Sequence, residues 1–160
     1  MKADVVSTYC VDTSCLIAAW DERYPPENFP KFWDYLDKLI SDGRVRAPEA
    51  VLDETGKRSK ELHSWLKERP DLIVGYEIEI QQEVKTILAK YPRLVAIKKT
   101  AFAADSFIIA TAKVKGLAVV TEEGPTGKLQ RPNIPDVCRD HGVECINLIQ
   151  LIRAEAWLIS

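Results

Sequence analysis

The second half of the chain alternates between short, continuously apolar runs and helix-like segments, and this alternation constrains the fold more than any other feature. The runs "LAVVT" (117–121) and "VECIN" (143–147) are strand-like, whereas "AADSFIIATAKVKG", "IPDVCRDHG" and "LIQLIRAEAWLI" are helix-like. Strands that are apolar throughout and alternate with helices are typical of a parallel sheet covered on both faces. We therefore expect an α/β fold with three layers, in which helices flank a central, mostly parallel sheet.

The first half fits the same architecture with longer helices. Short strands are predicted at residues 9–11 and in "RVRAP", and helices in "KFWDYLDKLISDG", "PEAVLDETGK", "SKELHSWLKER" and residues 77–90. The aromatic stripe of Phe32, Trp33, Tyr35 and Leu36 predicts core or a dimer surface. Because the chain has neither an internal repeat nor a long linker, we expect one domain over residues 1–160.

Composition excludes several classes of protein. No apolar run approaches the roughly 20 residues needed to cross a bilayer, and the N-terminus lacks the pattern of a signal peptide, so we expect a cytoplasmic protein without membrane contact. The net charge of −2 excludes a globally basic nucleic-acid binder but allows a local basic rim. The four cysteines match no zinc-site spacing and are expected to be reduced thiols. His63 and His141 lie in charged stretches, where we expect them on the surface.

An aspartate stands where the first strand runs into a helix, in "STYCVDTSCLIAAW" (7–20). A buried carboxylate is costly unless a partner compensates its charge. Asp12 could serve as the N-cap of the following helix. Ser14 could cap that helix equally well, which would leave Asp12 without a structural role.

Two further acids are predicted to face the interior from helices. Glu54 shares a helical face with Ala50 and Val51, whereas the adjacent Asp53 lies on the charged face. An ion pair between Glu54 and Arg58, four residues later, is the alternative explanation. Asp105 begins an apolar stripe of Ile108, Ile109 and Ala112, although an acid in the first turn of a helix is common for electrostatic reasons alone.

Glu122 and Glu123 follow the strand "LAVV" and Thr121, so a second strand ends in acid. A solvated turn is the alternative here, since Gly124 and Pro125 come next. Ligands collect at the carboxyl ends of parallel strands. Four separate segments thus bring acids to buried or strand-end positions with no matching inward-facing cations. Because such acids would repel one another, and oxygen ligands suit Mg²⁺ or Mn²⁺, the pattern predicts a site for a divalent metal.

The same blocks, in the order "YCVDTSCLIAA", "APEAVLDE", "AADSFIIATAKVKG" and "LAVVTEE", resemble the PIN-domain ribonucleases, the superfamily of the VapC toxins. More narrowly, "FPKFWDYLDKLISDGRVRAPEAVLDE" and "IPDVCRDHGVECINLIQLIR" resemble a little-characterised bacterial and archaeal PIN-like family. The resemblance implies a three-layer PIN-like fold and Mg²⁺- or Mn²⁺-dependent hydrolysis of RNA. It also implies a toxin held inactive by a cognate antitoxin, and a homodimer.

By position, the resemblance implies an acidic quartet of Asp12, Glu54, Asp105 and Glu123, with Glu122 as the other candidate for the fourth acid. It also implies that the hydroxyl groups of Ser14 and Thr121 support the site. The sequence departs from the family pattern after the fourth acid, where "EEGPTGK" replaces the usual Asp-Phe continuation.

Basic residues near the acidic segments are candidate contacts to the RNA backbone. Arg58 and Lys128 are the strongest, because each follows an acidic segment, and the other candidates are Lys57, Lys60, Lys98, Lys99 and Arg131. Two other functions also fit the acids, namely a binding module whose metal site is too poor for catalysis, and a structure-specific DNA nuclease.

Overall fold

The computed structural model describes residues 8–92 and 102–159. Five parallel strands form one sheet in the order β3-β2-β1-β4-β5. The strands are β1 (Tyr9–Val11), β2 (Val45–Pro48), β3 (Ile73–Val74), β4 (Ala118–Val120) and β5 (Cys145–Ile146). The predicted parallel α/β architecture is therefore confirmed.

Helices cover both faces of the sheet and complete three layers. The α-helices of the described residues are α1 (Thr13–Ala18), α2 (Pro30–Ser41), α3 (Glu49–Arg58), α4 (Lys60–Lys67), α5 (Ile78–Lys90), α6 (Phe102–Lys115), α7 (Ile134–His141) and α8 (Leu148–Glu155). A π-helical turn, Ala19–Arg23, continues α1. In the part of the chain that the structure describes, no helix has the length and apolar character needed to span a membrane.

The two strands that end in acid are neighbours at the centre of the sheet. Strand β1 pairs with β4 in the register Tyr9 with Ala118 and Val11 with Val120. Both strands are fully buried, as expected for continuously apolar strands in a parallel sheet. The backbone N–H of Asp12 donates to the carbonyl of Val120 at 2.9 Å, so the chain positions that follow the two strands lie side by side.

The aromatic stripe on α2 belongs mainly to the core. Phe32 and Trp33 are buried, and Trp33 lies edge-on to Trp20 and Trp65 with ring centroids 4.9 and 5.1 Å away. The Trp33 indole N–H donates to the carbonyl of Tyr24 at 2.6 Å, which satisfies its buried polar atom. Of the two predicted uses for this stripe, the structure supports core packing.

The structure differs from the predicted elements in two segments. The 3₁₀ turn Pro70–Leu72 and strand β3 follow α4, where the sequence predicted no strand, because a two-residue strand is too short to show a period. Helix α8 ends at Glu155, before the predicted end, because Ala156 adopts a left-handed backbone with φ of 56°. This conformation closes the helix.

The histidines, which were expected on the surface, are half-buried, so each is only partly exposed. The Nζ of Lys113 lies 3.0 Å from Nδ1 of His141, and the same ammonium pairs with Glu83 at 2.9 Å. Burial and the nearby charges of Lys113 and Lys90 lower the pKa of His141. The neutral ring of His141, at the end of α7, can accept a hydrogen bond at Nδ1 from Lys113 on α6.

A charged cluster attaches the last helix to the sheet. The Glu155 carboxylate accepts hydrogen bonds from the Arg44 guanidinium at 2.9 and 2.7 Å and from the Tyr9 hydroxyl at 2.6 Å. Hydrogen bonds to charged groups each contribute about 1.5–3 kcal/mol, so we expect Glu155→Gln to lower the free energy of unfolding by about that amount. Urea unfolding measures this change in the free energy of unfolding, and Glu144→Gln serves as the control because Glu144 is exposed. Equal stability of the two variants would contradict the prediction.

Candidate active site

Asp12 occupies the N-cap position of α1, but its side chain does not cap that helix. Instead, its Oδ2 accepts hydrogen bonds from the Ser14 hydroxyl at 2.6 Å and the Thr121 hydroxyl at 2.7 Å. The residue is only 2% exposed. The capping alternative therefore does not explain why the aspartate is there.

Ser14 and Thr121 join the ends of the two central strands around this carboxylate. The backbone N–H of Glu122 donates to Ser14 Oγ at 3.2 Å, and that of Glu123 donates to Thr121 Oγ1 at 3.1 Å. Each hydroxyl has one proton to donate, and both hydroxyls lie within hydrogen-bond distance of Asp12 Oδ2 and 3.2 Å from each other. The two hydroxyl groups thus orient the aspartate and hold the turn after β4.

Four carboxylates from four separate elements line one pocket of about 170 Å³. The described residues around this pocket, here called the acidic pocket, are Asp12, Thr13, Ser14, Glu54, Arg58, Asp105 and Glu123. Asp105 is 4% exposed and Glu54 is half-buried. The fold therefore brings together the four acids of the predicted quartet, which are as far apart as 111 positions in sequence.

Glu54 and Asp53 point in different directions, as their helical positions predict. Glu54 lines the acidic pocket, and in the described part of the chain no ion pair joins it to Arg58. Asp53 is exposed, and its Oδ2 lies 3.5 Å from the Tyr76 hydroxyl. The intrahelical ion pair, which was the alternative explanation for Glu54, does not form.

The side chains of Glu122 and Glu123 also make contacts in different places. Glu122 pairs with Arg23 at 2.8 Å, and its other oxygen accepts the Leu148 backbone N–H at 2.9 Å. Glu123 lines the acidic pocket, and its Oε1 accepts the Ile134 backbone N–H at 3.2 Å. Both oxygens of Glu122 are therefore engaged away from the pocket, whereas Glu123 lies on it.

The electrostatics of the acidic pocket favour a bound cation. Burial raises the pKa of Asp12 to about 6, and the negative charges of Glu123 and Glu54 add to the increase. The hydrogen bonds from Ser14 and Thr121 act in the opposite direction. A positive ion in the pocket would offset both the burial of the carboxylate and the repulsion between the acids.

The donor set fits Mg²⁺ or Mn²⁺ by its chemistry, since carboxylate and hydroxyl oxygens are the ligands these ions prefer. Thr13 also lines the pocket; its Oγ1 is buried and has no hydrogen-bond partner among the described residues. In the described ranges, no three acids, histidines or cysteines converge closely enough to surround an ion as they stand.

Most of the described basic residues that were predicted to contact RNA do not line the acidic pocket. Among the described residues, Arg58 is the one cation that lines the acidic pocket. Lys128 is exposed in the loop after Glu123 and does not line that pocket. Lys98 and Lys99 lie outside the described residues.

Two residues that shape this site were not predicted from the sequence. Arg23 holds Glu122 away from the pocket, and no local pattern indicates this pairing, because it depends on the π-helical turn after α1. Asp136 accepts hydrogen bonds from the loop that follows Glu123. The capping-box spacing of Asn133 and Asp136 could have revealed at least its contact with the Asn133 backbone.

Solved structures share this fold at low sequence identity. Three of them are described as DNA-bound VapBC from Salmonella typhimurium, VapBC2 from Rickettsia felis bound to a promoter DNA fragment, and FitAB bound to the IR36 DNA fragment. Their TM-scores are 0.55, 0.51 and 0.51, at identities of 16%, 16% and 21%. Each match covers 88% of this chain and 98%, 98% and 94% of the other chain, respectively. These matches confirm the three-layer PIN-like fold.

Among curated proteins, none matches the chain significantly in sequence. One protein family does match, over residues 9–159, which is nearly the whole chain. The chain therefore belongs to the family described as "Domain of unknown function (DUF4411)" and has a PIN-like fold.

Proposed function

We propose that the protein is a metal-dependent endoribonuclease that hydrolyses RNA phosphodiester bonds with Mg²⁺ or Mn²⁺. The observation that carries this proposal is the acidic pocket, which carboxylates from four segments of the chain line beside the carboxyl ends of the central parallel strands. A binding cleft is expected at this edge of an α/β sheet. The acids lie beside one arginine, so the pocket offers ligands for a cation and a contact for a phosphate.

The four acids of the pocket and the two hydroxyl groups beside Asp12 have separate roles in this proposal. Asp12, Glu54, Asp105 and Glu123 would hold the ion, and Ser14 and Thr121 orient Asp12 through hydrogen bonds to Oδ2. When bound, a divalent ion lowers the pKa of water and neutralises charge on the phosphate. The products would be a 5′-phosphate and a 3′-hydroxyl.

The chain supplies substrate contacts but no histidine base. Arg58 lines the acidic pocket, and its guanidinium would bind a phosphate oxygen of the RNA backbone there. Neither His63 nor His141 is among the described residues that line this pocket. The chemistry proposed here needs no histidine, because a cation-activated water does not require a separate strong base.

The biological role proposed for this nuclease is the toxin of a toxin–antitoxin pair acting in the cytoplasm as a homodimer. The supporting observation is that the solved structures of similar fold are described as VapBC and FitAB complexes. A cognate antitoxin would be the protein partner. Controlled expression of the wild type beside Asp105→Asn tests the role, with growth arrest and RNA loss expected only for the wild type. Harmless expression of the wild type would argue against a toxin.

A second candidate is a binding module with a metal site too weak for catalysis. It is favoured by the absence, within the described residues, of three acids close enough to surround an ion. Calorimetry with Mn²⁺ separates the two candidates, because binding at or below millimolar metal supports the nuclease and no binding supports the module.

The substrate is tested by comparing cleavage of single-stranded RNA, structured RNA and flap DNA in Mg²⁺ and in Mn²⁺. We expect cleavage of RNA that chelator abolishes, and fragments with 5′-phosphate ends. A preference for flap DNA would replace the ribonuclease assignment with a DNA nuclease.

Arg58 provides a direct test of substrate binding. Hydrogen bonds to charged groups contribute about 1.5–3 kcal/mol, so we expect Arg58→Ala to lower kcat/KM for RNA by roughly 10- to 100-fold. Lys57→Ala is the matched control, since this neighbouring cation is exposed and does not line the pocket. Equal effects of the two substitutions would indicate nonspecific attraction of RNA rather than a contact at the site.

A further inference from the structure

The loop after Glu123 folds around one buried carboxylate. Asp136, in the first turn of α7, is 6% exposed. Its Oδ2 accepts hydrogen bonds from the Thr126 backbone N–H and hydroxyl, each at 2.9 Å, and from the Asn133 N–H at 2.8 Å. Its Oδ1 accepts the Gly127 N–H at 2.9 Å. One side chain thereby holds both ends of the loop formed by residues 124–133.

These hydrogen bonds compensate the burial of the charge. Burial alone would raise the pKa of Asp136, but the donors from Thr126, Asn133 and Gly127 outweigh it and lower the pKa below its ordinary value. Gly127 adopts φ of 77°, a left-handed backbone that turns its N–H towards the carboxylate. The Asn133 side chain donates to the carbonyl of Gly124 at 2.9 Å and closes the loop further. The hydrogen-bond donors of the loop therefore favour the ionised form of Asp136.

The same loop controls the orientation of the fourth acid. Glu123 precedes the loop, and Ile134 follows it. The Ile134 N–H donates to Glu123 Oε1 at 3.2 Å, and Asp136 holds the neighbouring Asn133 through its backbone. A long glutamate side chain has many rotamers, and this contact favours one that lies on the acidic pocket.

We propose that Asp136 is a positioning residue for the metal site: by holding the loop of residues 124–133, it places Ile134 so that Glu123 faces the acidic pocket. This inference rests on the proposed function, because it assumes that Glu123 binds the ion. Partners that orient a metal ligand without touching the metal commonly change metal affinity 10- to 100-fold. Asp136 is expected to act in this range, entirely through Glu123.

A double-mutant cycle on Mn²⁺ binding tests the proposal by calorimetry. We expect Asp136→Asn to weaken Mn²⁺ binding by about 10-fold and Glu123→Gln to weaken it by more. We expect the double variant to match Glu123→Gln, because Asp136 then has no ligand left to position. Asparagine has the same size as aspartate and one side-chain oxygen, which can replace Oδ2 and its three hydrogen bonds. The Asp136→Asn variant therefore loses mainly the hydrogen bond from the Gly127 N–H to Oδ1.

Two further variants separate positioning from general stability. Asp140→Asn alters the same helix one turn later, where Asp140 pairs with Lys90 at 2.9 Å, and it should leave Mn²⁺ affinity unchanged. Thr126→Val removes one hydroxyl donor to Asp136 and should weaken Mn²⁺ binding about threefold if Asp136→Asn does not fold.

The possible outcomes distinguish this proposal from the proposed function. If the wild type binds no Mn²⁺, both are overturned. If the wild type binds Mn²⁺ and Glu123→Gln weakens binding, but Asp136→Asn and Thr126→Val do not, only the positioning role is overturned. The positioning role alone is also overturned if Glu123→Gln does not change Mn²⁺ affinity. It is likewise overturned if the losses of Mn²⁺ affinity from Asp136→Asn and Glu123→Gln multiply in the double variant.

Discussion

Asp12→Asn is expected to abolish RNA cleavage and, in the absence of metal, to make the protein more stable at pH 7.5. The loss of activity follows from removing a charged ligand from the acidic pocket. Substituting a residue that merely orients a metal ligand lowers metal affinity or activity 10- to 100-fold, so we expect loss of the ligand itself to lower cleavage at least about 100-fold. The gain in stability has a separate origin in the burial of this carboxylate.

The folded state binds a proton on Asp12 more tightly than the unfolded chain does. Burial raises the pKa of this group from its usual 3.8 to about 6. Ionisation of Asp12 therefore lowers the free energy of unfolding as the pH rises from about 4 to about 6. The free energy of unfolding stays lower by this amount above about pH 6. Two pKa units correspond to about 3 kcal/mol, which is the upper bound for the gain at pH 7.5. The amide oxygen of asparagine can still accept the hydroxyl protons of Ser14 and Thr121.

Urea unfolding in chelator at several pH values measures this effect. We expect the difference between Asp12→Asn and the wild type to shrink as the pH falls from 7 to 4. Added Mn²⁺ should stabilise the wild type, by about 2.7 kcal/mol at 100 times the dissociation constant, and should not stabilise the variant. Asp34→Asn, at an exposed position on α2, serves as control and should show neither change. A variant that is less stable than the wild type at every pH would contradict this account of the buried charge.

Glu54→Gln and Asp53→Asn form the second test, because these neighbouring acids differ in the direction of their side chains. Glu54 lines the acidic pocket, whereas Asp53 is exposed. We expect Glu54→Gln to lower both Mn²⁺ affinity and cleavage by at least about 100-fold, since it neutralises a proposed ligand without changing its size. We expect Asp53→Asn to stay within about threefold of the wild type, because it loses only a weak contact with Tyr76.

Mn²⁺ calorimetry and an RNA cleavage assay on the same preparations give the comparison. Both variants should unfold at similar urea concentrations, which would exclude a folding defect as the cause of lower Mn²⁺ affinity or slower cleavage. Similar losses in the two variants would mean that the negative charge of α3 as a whole, rather than the acidic pocket, attracts the ion. A larger loss for Asp53→Asn would place the site on the other face of the helix.

The separation of Glu54 from Asp53 was predictable because it depends only on helical periodicity. Residues three and four positions apart share a face, so Ala50 and Val51 identify the buried side without reference to the rest of the fold. The choice between Glu122 and Glu123 could not be predicted in this way. It depends on Arg23 and on the backbone N–H of Leu148, which are distant in sequence and approach β4 only in the folded chain.

By itself, the sequence determined most of the elements, their parallel arrangement and the acids that end buried segments, because periodicity and strand-end position are local properties of the chain. Only the tertiary structure decided that β1 and β4 are neighbours, which acids share the acidic pocket and which hydrogen bonds hold them. These outcomes come from contacts between residues as much as 146 positions apart, such as that of Tyr9 with Glu155. Such contacts form when the helices pack on the sheet, and no pattern within a single segment records them.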